Sequence, residues 1–208
     1  ETLVGTTQLP KFEADMFSVK KGGVEGEGET LYLNAKDGFA GYGLKKDGEP
    51  VEKCSTIDDI IAFTQDGKMR VMKVAEKVFV GQRPLRVAIF RKDEDRIYSM
   101  IYRDGRDGPI LAKRFTVGGI TRDKEYVLTK GTPGSNVLYF IRHETEEDSN
   151  AQNVVVHLKP ALYLRNLSIK FPFNSIAIKG RESQGNIITK HAVDRVVREP
   201  KSGESAEG

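Results

Sequence analysis

The chain is organised around Asp58–Val74, which reads Asp-Asp-Ile-Ile-Ala-Phe-Thr-Gln-Asp-Gly-Lys-Met-Arg-Val-Met-Lys-Val. This stretch begins with the apolar run Ile60–Thr64 and ends with Met69–Val74, and both runs are rich in residues that favour strands. Asp66-Gly67 stands between them as a tight-turn dipeptide, because glycine takes a positive φ without steric cost. The pattern predicts a β-hairpin with a basic return strand. Its basic residues are Lys68, Arg70 and Lys73.

Similar strand–turn–strand patterns recur along the chain and predict an all-β fold. Further hairpins are predicted at residues 31–44, 97–117, 137–158 and 175–193. The tips at Gly67, Gly108, Asn150 and Gly185 are separated by 41, 42 and 35 residues. A period near 40 suggests four-stranded units stacked radially as blades, and five turn-centred motifs suggest four to five of them. An open β-sandwich with similar strand spacing is the alternative.

Composition bounds the class of protein. The 208 residues are 38% hydrophobic, which is enough to bury the core of one domain or of two small ones. The single cysteine, Cys54, rules out an internal disulfide, suits a reducing compartment and is expected to be a buried or half-buried apolar residue. No apolar run reaches the ~20 residues of a membrane span, and the N-terminus has no signal pattern. We expect a cytoplasmic protein with no membrane partner.

Local composition divides the chain into three parts. Residues 1–29 are polar and become glycine-rich, which predicts an N-terminal segment or linker. Residues 30–198 carry the strand patterns and are predicted to form the folded domain. Residues 199–208 are polar and are predicted to be a disordered tail.

The net charge of +3 conceals a sorting of charge along the chain. Residues 61–140 hold 16 Lys and Arg against nine Asp and Glu, and residues 161–198 hold seven against two. Residues 1–60 hold seven against 12, so the excess of acid lies outside the two basic segments. Charge sorted in this way is expected for a protein that binds a polyanion. A well-solvated surface of mixed sign is the alternative, and charge by itself does not separate the two.

The candidate binding residues are the basic side chains on hairpin limbs and connections. They are Lys68, Arg70, Lys73, Lys113, Arg114, Arg122, Lys124, Lys130, Lys179, Arg181 and Lys190. If the repeats stack radially, equivalent limbs fall on one rim and these charges form a curved band. Such a band would meet phosphates without reading sequence. For each residue, a solvated surface charge is the alternative.

Residue patterns typical of catalysis or metal binding are not found. His143, His157 and His191 are far apart and have no Cys or carboxylate partners at ligand spacing. The glycine-rich run Gly38–Gly43 is not a dinucleotide-binding motif, because no helix follows it. We therefore predict no catalytic residue and no metal site. The seven tyrosines lie in or beside strand patterns and are expected to pack in the core or on strand faces.

Several segments, in order along the chain, carry a resemblance to a known family. They are residues 58–61, 66–68, 71, 73–74, 77, 79–81, 101–105, 113–115, 120–126, 137–140, 178–181 and 184–186. Together they resemble the C-terminal domain of bacterial type IIA topoisomerase A subunits, and most closely that of topoisomerase IV in the Bacteroidetes lineage. The resemblance implies a β-pinwheel, a propeller-like disc whose basic rim bends duplex DNA. Gyrase A subunits add a Gln-Arg-Arg-Gly-Gly-Lys-Gly box, which this sequence does not contain.

That resemblance implies a non-catalytic domain that contacts duplex DNA without sequence preference. In the intact enzyme it would help to select DNA geometry and present a second segment during ATP-dependent strand passage. Its partners would be the ATPase B subunit, together with the rest of the A subunit. ATP and Mg²⁺ would be handled elsewhere, so no cofactor is expected in this domain. The missing box favours the topoisomerase IV role over strong chiral wrapping.

Two other classes of function are compatible with a propeller-like fold. A propeller used for protein–protein interaction predicts an exposed apolar or aromatic patch and no salt-dependent affinity for DNA. A hydrolase on a propeller would need carboxylates or histidines that converge at the centre of the disc. The sequence offers no such set, so the interaction module is the stronger alternative.

Overall fold

The computed structural model describes residues 28–199. Nearly all its regular structure is β, so the predicted all-β class is confirmed, and of the four sheets in the described residues two have four strands, one has five and one has three. Most of the predicted linker at residues 1–29 and of the tail at 199–208 lies outside the described residues. The strands are β1 (Glu29–Asn34), β2 (Phe39–Gly41), β3 (Glu49–Cys54), β4 (Asp59–Thr64), β5 (Lys68–Lys73), β6 (Val78–Phe79), β7 (Pro84–Phe90), β8 (Ile97–Arg103), β9 (Ile110–Thr116), β10 (Glu125–Val127), β11 (Asn136–His143), β12 (Asn153–Leu158), β13 (Ser168–Pro172), β14 (Ile178–Gly180), β15 (Asn186–Thr189) and β16 (Val193–Arg198), with one helix, α1 (Glu146–Asn150), and a 3-10 turn at Phe173–Ser175.

The chain forms two compact units. The first holds the residues up to Thr64 together with Arg70–Arg91. It contains a four-stranded sheet of order β3-β1-β2-β6, and it places β4 between β7 and the part of β5 that begins at Arg70. The core of this unit is built from Leu31, Ile60, Val87 and their apolar neighbours.

The second unit holds Gln65–Met69 and the residues from Lys92 onward. Here β9 pairs with β8 on one side, and on the other side it pairs with β15 over its first half and with β14 over its second half. A three-stranded sheet of order β13-β12-β16 completes the unit, and β10 lies beside the beginning of β5. Ile101, Ala112, Val156 and Phe173 belong to its core.

The hairpin predicted at Asp58–Val74 is confirmed. Its strands are β4 and β5, and residues 65–67 join them. Gly67 has φ of 83°, and a Cβ at this position would lie 2.3 Å from Cγ2 of Thr129. Glycine is therefore required here for two reasons, the backbone conformation and the close approach of a neighbour. The predicted hairpins at residues 31–44 and 97–117 are also confirmed, as β1–β2 and β8–β9.

Two predicted hairpins are wrong. β11 does not pair with β12, because β11 pairs with β8, and β12 lies between β13 and β16. β14 does not pair with β15, because both strands pair with β9. Local pattern located these strands but not their partners, which are distant in sequence for β11, β14 and β15 and which for β12 include the neighbouring strand β13. Asn150 and Gly185 are therefore not the tips of hairpins, and the spacings of 42 and 35 residues that were counted from them do not mark a repeat.

The acidic run that was predicted to be a turn contains the helix α1. Thr145 is its N-cap, and the Thr145 hydroxyl accepts a hydrogen bond of 3.2 Å from the backbone N–H of Asp148. Glu146, Glu147 and Asp148 occupy the first turn, where their charge interacts favourably with the helix dipole. Cap and charge together favour one turn of helix in place of an irregular loop.

Burial of several predicted core residues is confirmed. Cys54 is buried, and burial raises the pKa of its thiol to about 11. Tyr98 and Tyr102 are buried as well, and the Tyr98 ring stacks on that of Phe115 with 5.4 Å between centroids. Tyr163 is an exception, since 94% of it is exposed. The prediction that all seven tyrosines pack is therefore wrong at this position.

Candidate nucleic-acid interface

The structure divides the eleven predicted binding residues by exposure. Six are exposed, three are partly buried and two lie in the protein interior. The exposed residues are Lys73, Arg122, Lys124, Lys130, Lys179 and Lys190. The partly buried residues are Lys68, Arg70 and Arg181, and the interior residues are Lys113 and Arg114.

Lys113 holds three chain segments together from the inside. Its side chain is 2% exposed, and its ammonium donates to the carbonyl oxygens of Leu128 at 2.7 Å and of Arg181 and Ser183 at 2.8 Å. An ammonium has three hydrogens, so these acceptors satisfy all of them. Burial lowers the pKa of Lys113 to about 8. The charge is therefore retained at neutral pH and is used within the fold.

Arg114 is used in the same way on the opposite face of β9. Its guanidinium donates to the Ile176 carbonyl, to the Ser149 hydroxyl at 3.1 Å and to the Asn150 side-chain oxygen at 2.7 Å. Burial lowers its pKa. The side chain fixes the end of α1 against the turn at Phe173–Ser175. Lys113 and Arg114 were expected on an exposed rim, and their burial corrects this expectation.

The three partly buried residues are each engaged with other groups. Lys68 lies 3.4 Å from a carboxylate oxygen of Glu125 and 3.7 Å from one of Asp66. Arg70 donates to the Phe79 carbonyl at 2.8 Å. These side chains stabilise local structure and have less freedom to follow a flexible ligand.

Arg181 is enclosed by the connection that precedes β10. Its guanidinium donates to the carbonyls of Val117 and Gly119, the latter at 2.7 Å, and lies 4.5 Å from the centre of the Tyr126 ring. Cation–π contacts of this kind add stability to a hydrogen-bonded guanidinium. Arg181 therefore holds this connection in place.

The exposed lysines are different. Within residues 28–199, Lys73, Lys130, Lys179 and Lys190 form no ion pair with a carboxylate. Lys124 lies 5.1 Å from the Tyr126 ring centre and also forms no ion pair there. Exposed ammonium groups on flexible stems can reach phosphates without rearrangement of the fold. These five residues form the candidate DNA-contacting set, which we call the exposed lysine set.

The sequence contained a signal for the burial of Lys113 and Arg114. Two adjacent residues of a strand point to opposite faces of the sheet, so two adjacent charges cannot both face solvent if one face is covered. β9 has apolar residues on both sides of the pair, and six of its seven residues are buried. A strand covered on both faces buries both charges, and each then needs a full set of partners.

A second signal was overlooked, and it concerns basic residues outside the predicted set. Residues 149–181 contain no Asp or Glu but contain five Lys and Arg. Two of these, Lys159 and Arg165, are exposed and lie in the connection between β12 and β13. The length of the acid-free run would have located this basic segment.

The histidines do not form a metal site in the described residues. No group of three or more His, Cys, Asp or Glu residues that could hold a metal ion is found between residues 28 and 199. His143 is buried, and its Nε2 lies 2.9 Å from the Ser99 hydroxyl. Burial lowers the pKa of His143 to about 4, so its ring is neutral at neutral pH. In the same part of the chain no helix is long and apolar enough to cross a membrane.

Over most of its length the chain is similar to topoisomerase C-terminal domains. The family described as "Topoisomerase C-terminal domain, Bacteroidota" matches residues 30–201. The A subunit of DNA topoisomerase 4 from Borreliella burgdorferi is 29% identical over 98 residues, which is 46% of this chain and 15% of that protein. A crystal structure of the C-terminal domain of DNA topoisomerase IV aligns with a TM-score of 0.46 and 11% identity, over 85% of this chain and 63% of the other.

A short likeness to a different protein is also present. Serine–tRNA ligase of Herminiimonas arsenicoxydans is 76% identical over 33 residues, which is 16% of this chain and 8% of the ligase. The chain thus spans 8% and 15% of the lengths of these two curated relatives. The likeness that covers most of the chain is the one to the topoisomerase domain. The chain belongs to the family of topoisomerase C-terminal domains of the Bacteroidota.

Proposed function

We propose that this domain binds duplex DNA without sequence preference, as a non-catalytic part of a type IIA topoisomerase A subunit. The observation that carries the proposal is the exposed lysine set (Lys73, Lys124, Lys130, Lys179 and Lys190) on a member of this family. Lysine ammonium groups contact phosphate oxygens as point charges, so they position a duplex without reading its bases.

The same set supports bending of the bound duplex. Bending DNA by 40–90° costs on the order of 1–6 kcal/mol for a site of 20–30 base pairs. Phosphate contacts with counterion release can offset this cost. We propose that the domain uses such contacts to favour bent or crossed DNA and to present the transported segment. Within the intact cytoplasmic enzyme, DNA cleavage and the binding of ATP and Mg²⁺ would belong to the A-subunit core and the ATPase B subunit.

A protein–protein interaction module is the second candidate. One observation favours it, the exposure of the apolar side chains of Leu162 and Tyr163. A module of that kind would show no salt-dependent affinity for DNA. The two candidates therefore differ in one measurable property.

The test is a binding titration over a series of salt concentrations with a duplex of ~40 base pairs and one of ~150. For the wild type we expect a steep linear fall of log K with log salt and tighter binding to the longer duplex. The variant Lys73→Ala/Lys130→Ala/Lys179→Ala/Lys190→Ala should lower the magnitude of the slope by about 3 to 4, since each lost phosphate contact contributes about 0.9.

A matched control removes the same charge elsewhere. Lys36, Lys45, Lys46 and Lys92 are exposed lysines outside the predicted set. Their fourfold alanine variant should change the slope by less than about 1. Equal effects of the two variants would contradict the residue assignment. Absence of binding by the wild type at low salt would contradict the DNA proposal and favour the interaction module.

A further inference from the structure

The connection between β12 and β13, residues 159–167, exposes apolar side chains to an unusual degree. Leu162 is 86% exposed and Tyr163 is 94% exposed, and Leu167 is also exposed. Large apolar side chains that project together from a loop tip are unfavourably exposed to water, and such exposure is typical of a binding surface. We call this segment the 159–167 loop.

The tip is held on a defined stem. The backbone N–H of Leu158 donates to the Leu167 carbonyl at 2.8 Å, which closes the base of the loop. Inside the loop, the N–H of Leu164 donates to the Ala161 carbonyl at 3.1 Å, and the Leu164 side chain packs against the core. Leu164 therefore anchors the loop and leaves its two predecessors projecting outward.

Tyr163 also has an unfavourable backbone conformation. Its φ is 66°, in the left-handed region that large side chains rarely adopt. A strained residue that is almost wholly exposed gains nothing from packing in return. Strain of this kind persists at sites where it positions a side chain for binding.

The charge around the tip indicates the chemistry of the partner. Lys159 and Arg165 flank the exposed pair, within the acid-free run 149–181. The backbone N–H of Lys159 donates to the Ala192 carbonyl at 2.9 Å, which brings the segment that holds Lys190 to the base of the loop. An apolar tip between cations fits an anionic ligand that has an apolar interior.

We propose that the 159–167 loop inserts Leu162 and Tyr163 at a base step of bound duplex DNA, with Lys159 and Arg165 on the adjacent phosphates. This inference rests on the proposed DNA-binding function and adds to it a wedge that kinks the duplex. Apolar side chains inserted between base pairs unstack them and bend the helix, and the bend lets more of the protein reach the backbone. An aromatic ring can also stack on an exposed base.

A protein partner fits the tip less well. Two projecting side chains cover far less than the roughly 1,200 Å² of a stable protein interface. Lys159 and Arg165, within the acid-free run 149–181, complement phosphates on both sides of the tip, as a duplex provides. An anionic membrane is the other partner with which the tests below compare a duplex.

The first test uses a fluorescent side chain at the tip. The chain contains no Trp, so the Tyr163→Trp variant has a single indole reporter. Addition of a duplex of ~40 base pairs should quench its emission through stacking on bases. A matched Ile57→Trp variant places the indole in another loop, at a residue that is 82% exposed. Its emission should not change.

The second test compares a fully paired duplex with one that carries a central mismatch. A mismatch lowers the cost of unstacking, so the wild type should bind the mismatched duplex about five- to tenfold more tightly and bend it more, as measured by energy transfer between end labels. Leu162→Ala/Tyr163→Ala should lose this preference and the extra bend, whereas Ile57→Ala should keep both.

The outcomes separate this inference from the proposed function. If the wild type binds DNA with a steep salt slope but the tip variants behave like wild type, the wedge is overturned and DNA binding stands. If the indole of the Tyr163→Trp variant responds to phosphatidylglycerol vesicles but not to DNA, the loop is a membrane contact and the wedge is also overturned. If the wild type binds no DNA at low salt, both proposals fail together.

Discussion

The return strands of two hairpins, β5 and β9, both carry basic residues, but the two strands differ in whether these residues reach solvent. On β5 the last residue, Lys73, is exposed and forms no ion pair with a described residue. On β9 the basic pair Lys113 and Arg114 lies in the interior and is satisfied by carbonyl and side-chain oxygens. The difference comes from cover on the faces of the strands, because six of the seven residues of β9 are buried, whereas β5 ends at the exposed Lys73.

A lysine in a basic protein is therefore not by itself evidence for a nucleic-acid contact. A buried ammonium with three carbonyl acceptors is part of the fold, and removal of it leaves these buried or partly buried acceptors without their donor. An exposed lysine contributes little to stability and can be replaced at low cost. Stability and DNA affinity should consequently respond to different lysines.

The largest effect is expected at Lys113. Lys113→Met should lower the free energy of unfolding by about 3–5 kcal/mol, because one buried and two partly buried carbonyls lose their donor. Urea denaturation at neutral pH measures the loss, and Lys73→Met is the matched control on β5, expected to change stability by less than about 0.5 kcal/mol. Equal stabilities of the two variants would remove the distinction between the strands.

A second large effect is expected at the turn that leads into β5. Gly67→Ala should cost about 2–3 kcal/mol, since the backbone has a left-handed φ and the new Cβ would collide with Thr129. Gly119→Ala is the control, because a Cβ there meets no atom within 4 Å. Thermal unfolding should separate the two variants by several degrees. A Gly67→Ala variant as stable as wild type would contradict the observed turn geometry.

The buried imidazole of His143 makes the stability of the fold depend on pH. Its pKa is about 4 in the folded state against an ordinary value of 6.5, so protons bind the unfolded chain more tightly. Stability should therefore fall as pH drops below about 6.5, by about 2 kcal/mol between pH 7.5 and pH 5. The His143→Gln variant should lack this part of the pH dependence. The same slope in both proteins would show that another group causes it.

The smallest effect on stability is expected at Tyr163, which combines a strained backbone conformation with a side chain that is almost wholly exposed. Tyr163→Gly should raise the free energy of unfolding by about 0.5–1 kcal/mol, because glycine adopts the left-handed conformation without steric cost. Urea denaturation measures this gain, and Leu162→Gly, at a residue with no positive φ, should not show it. A loss of stability in Tyr163→Gly would indicate that the tyrosine packs in solution.

Sequence reasoning succeeded where structure is local. Asp66-Gly67 with apolar runs on both sides specified a hairpin without reference to any other part of the chain. It failed for β11, β14 and β15, because the partners of these strands are far away in sequence and local pattern does not encode them. It failed for β12 because the neighbouring strand β13 was not predicted. The helix α1 carried a cap signal at Thr145, but its acidic first turn also suited the tip of a loop.

The binding site shows the same limit. The sign and position of the basic residues could be predicted from the sequence, and the apolar neighbours of Lys113 and Arg114 indicated that β9 is covered. The segments that supply their hydrogen-bond acceptors could not be predicted, because these segments are far away in sequence. The alternation of side chains along a strand indicates that one of Lys113 and Arg114 faces a covered side of the sheet, but both were predicted to lie on an exposed rim. The exposed Tyr163 could not be distinguished from a packed tyrosine by its neighbours in the sequence.

Acetylation of the wild-type protein, with and without a duplex of ~40 base pairs, tests the division between interior and exposed lysines when the modified residues are identified by mass spectrometry. Lys113 should stay unmodified in both samples. Lys73, Lys130, Lys179 and Lys190 should react in the free protein and be protected by DNA at low salt. Modification of Lys113 in the folded free protein, or equal reactivity of the four exposed lysines with and without DNA, would contradict this account.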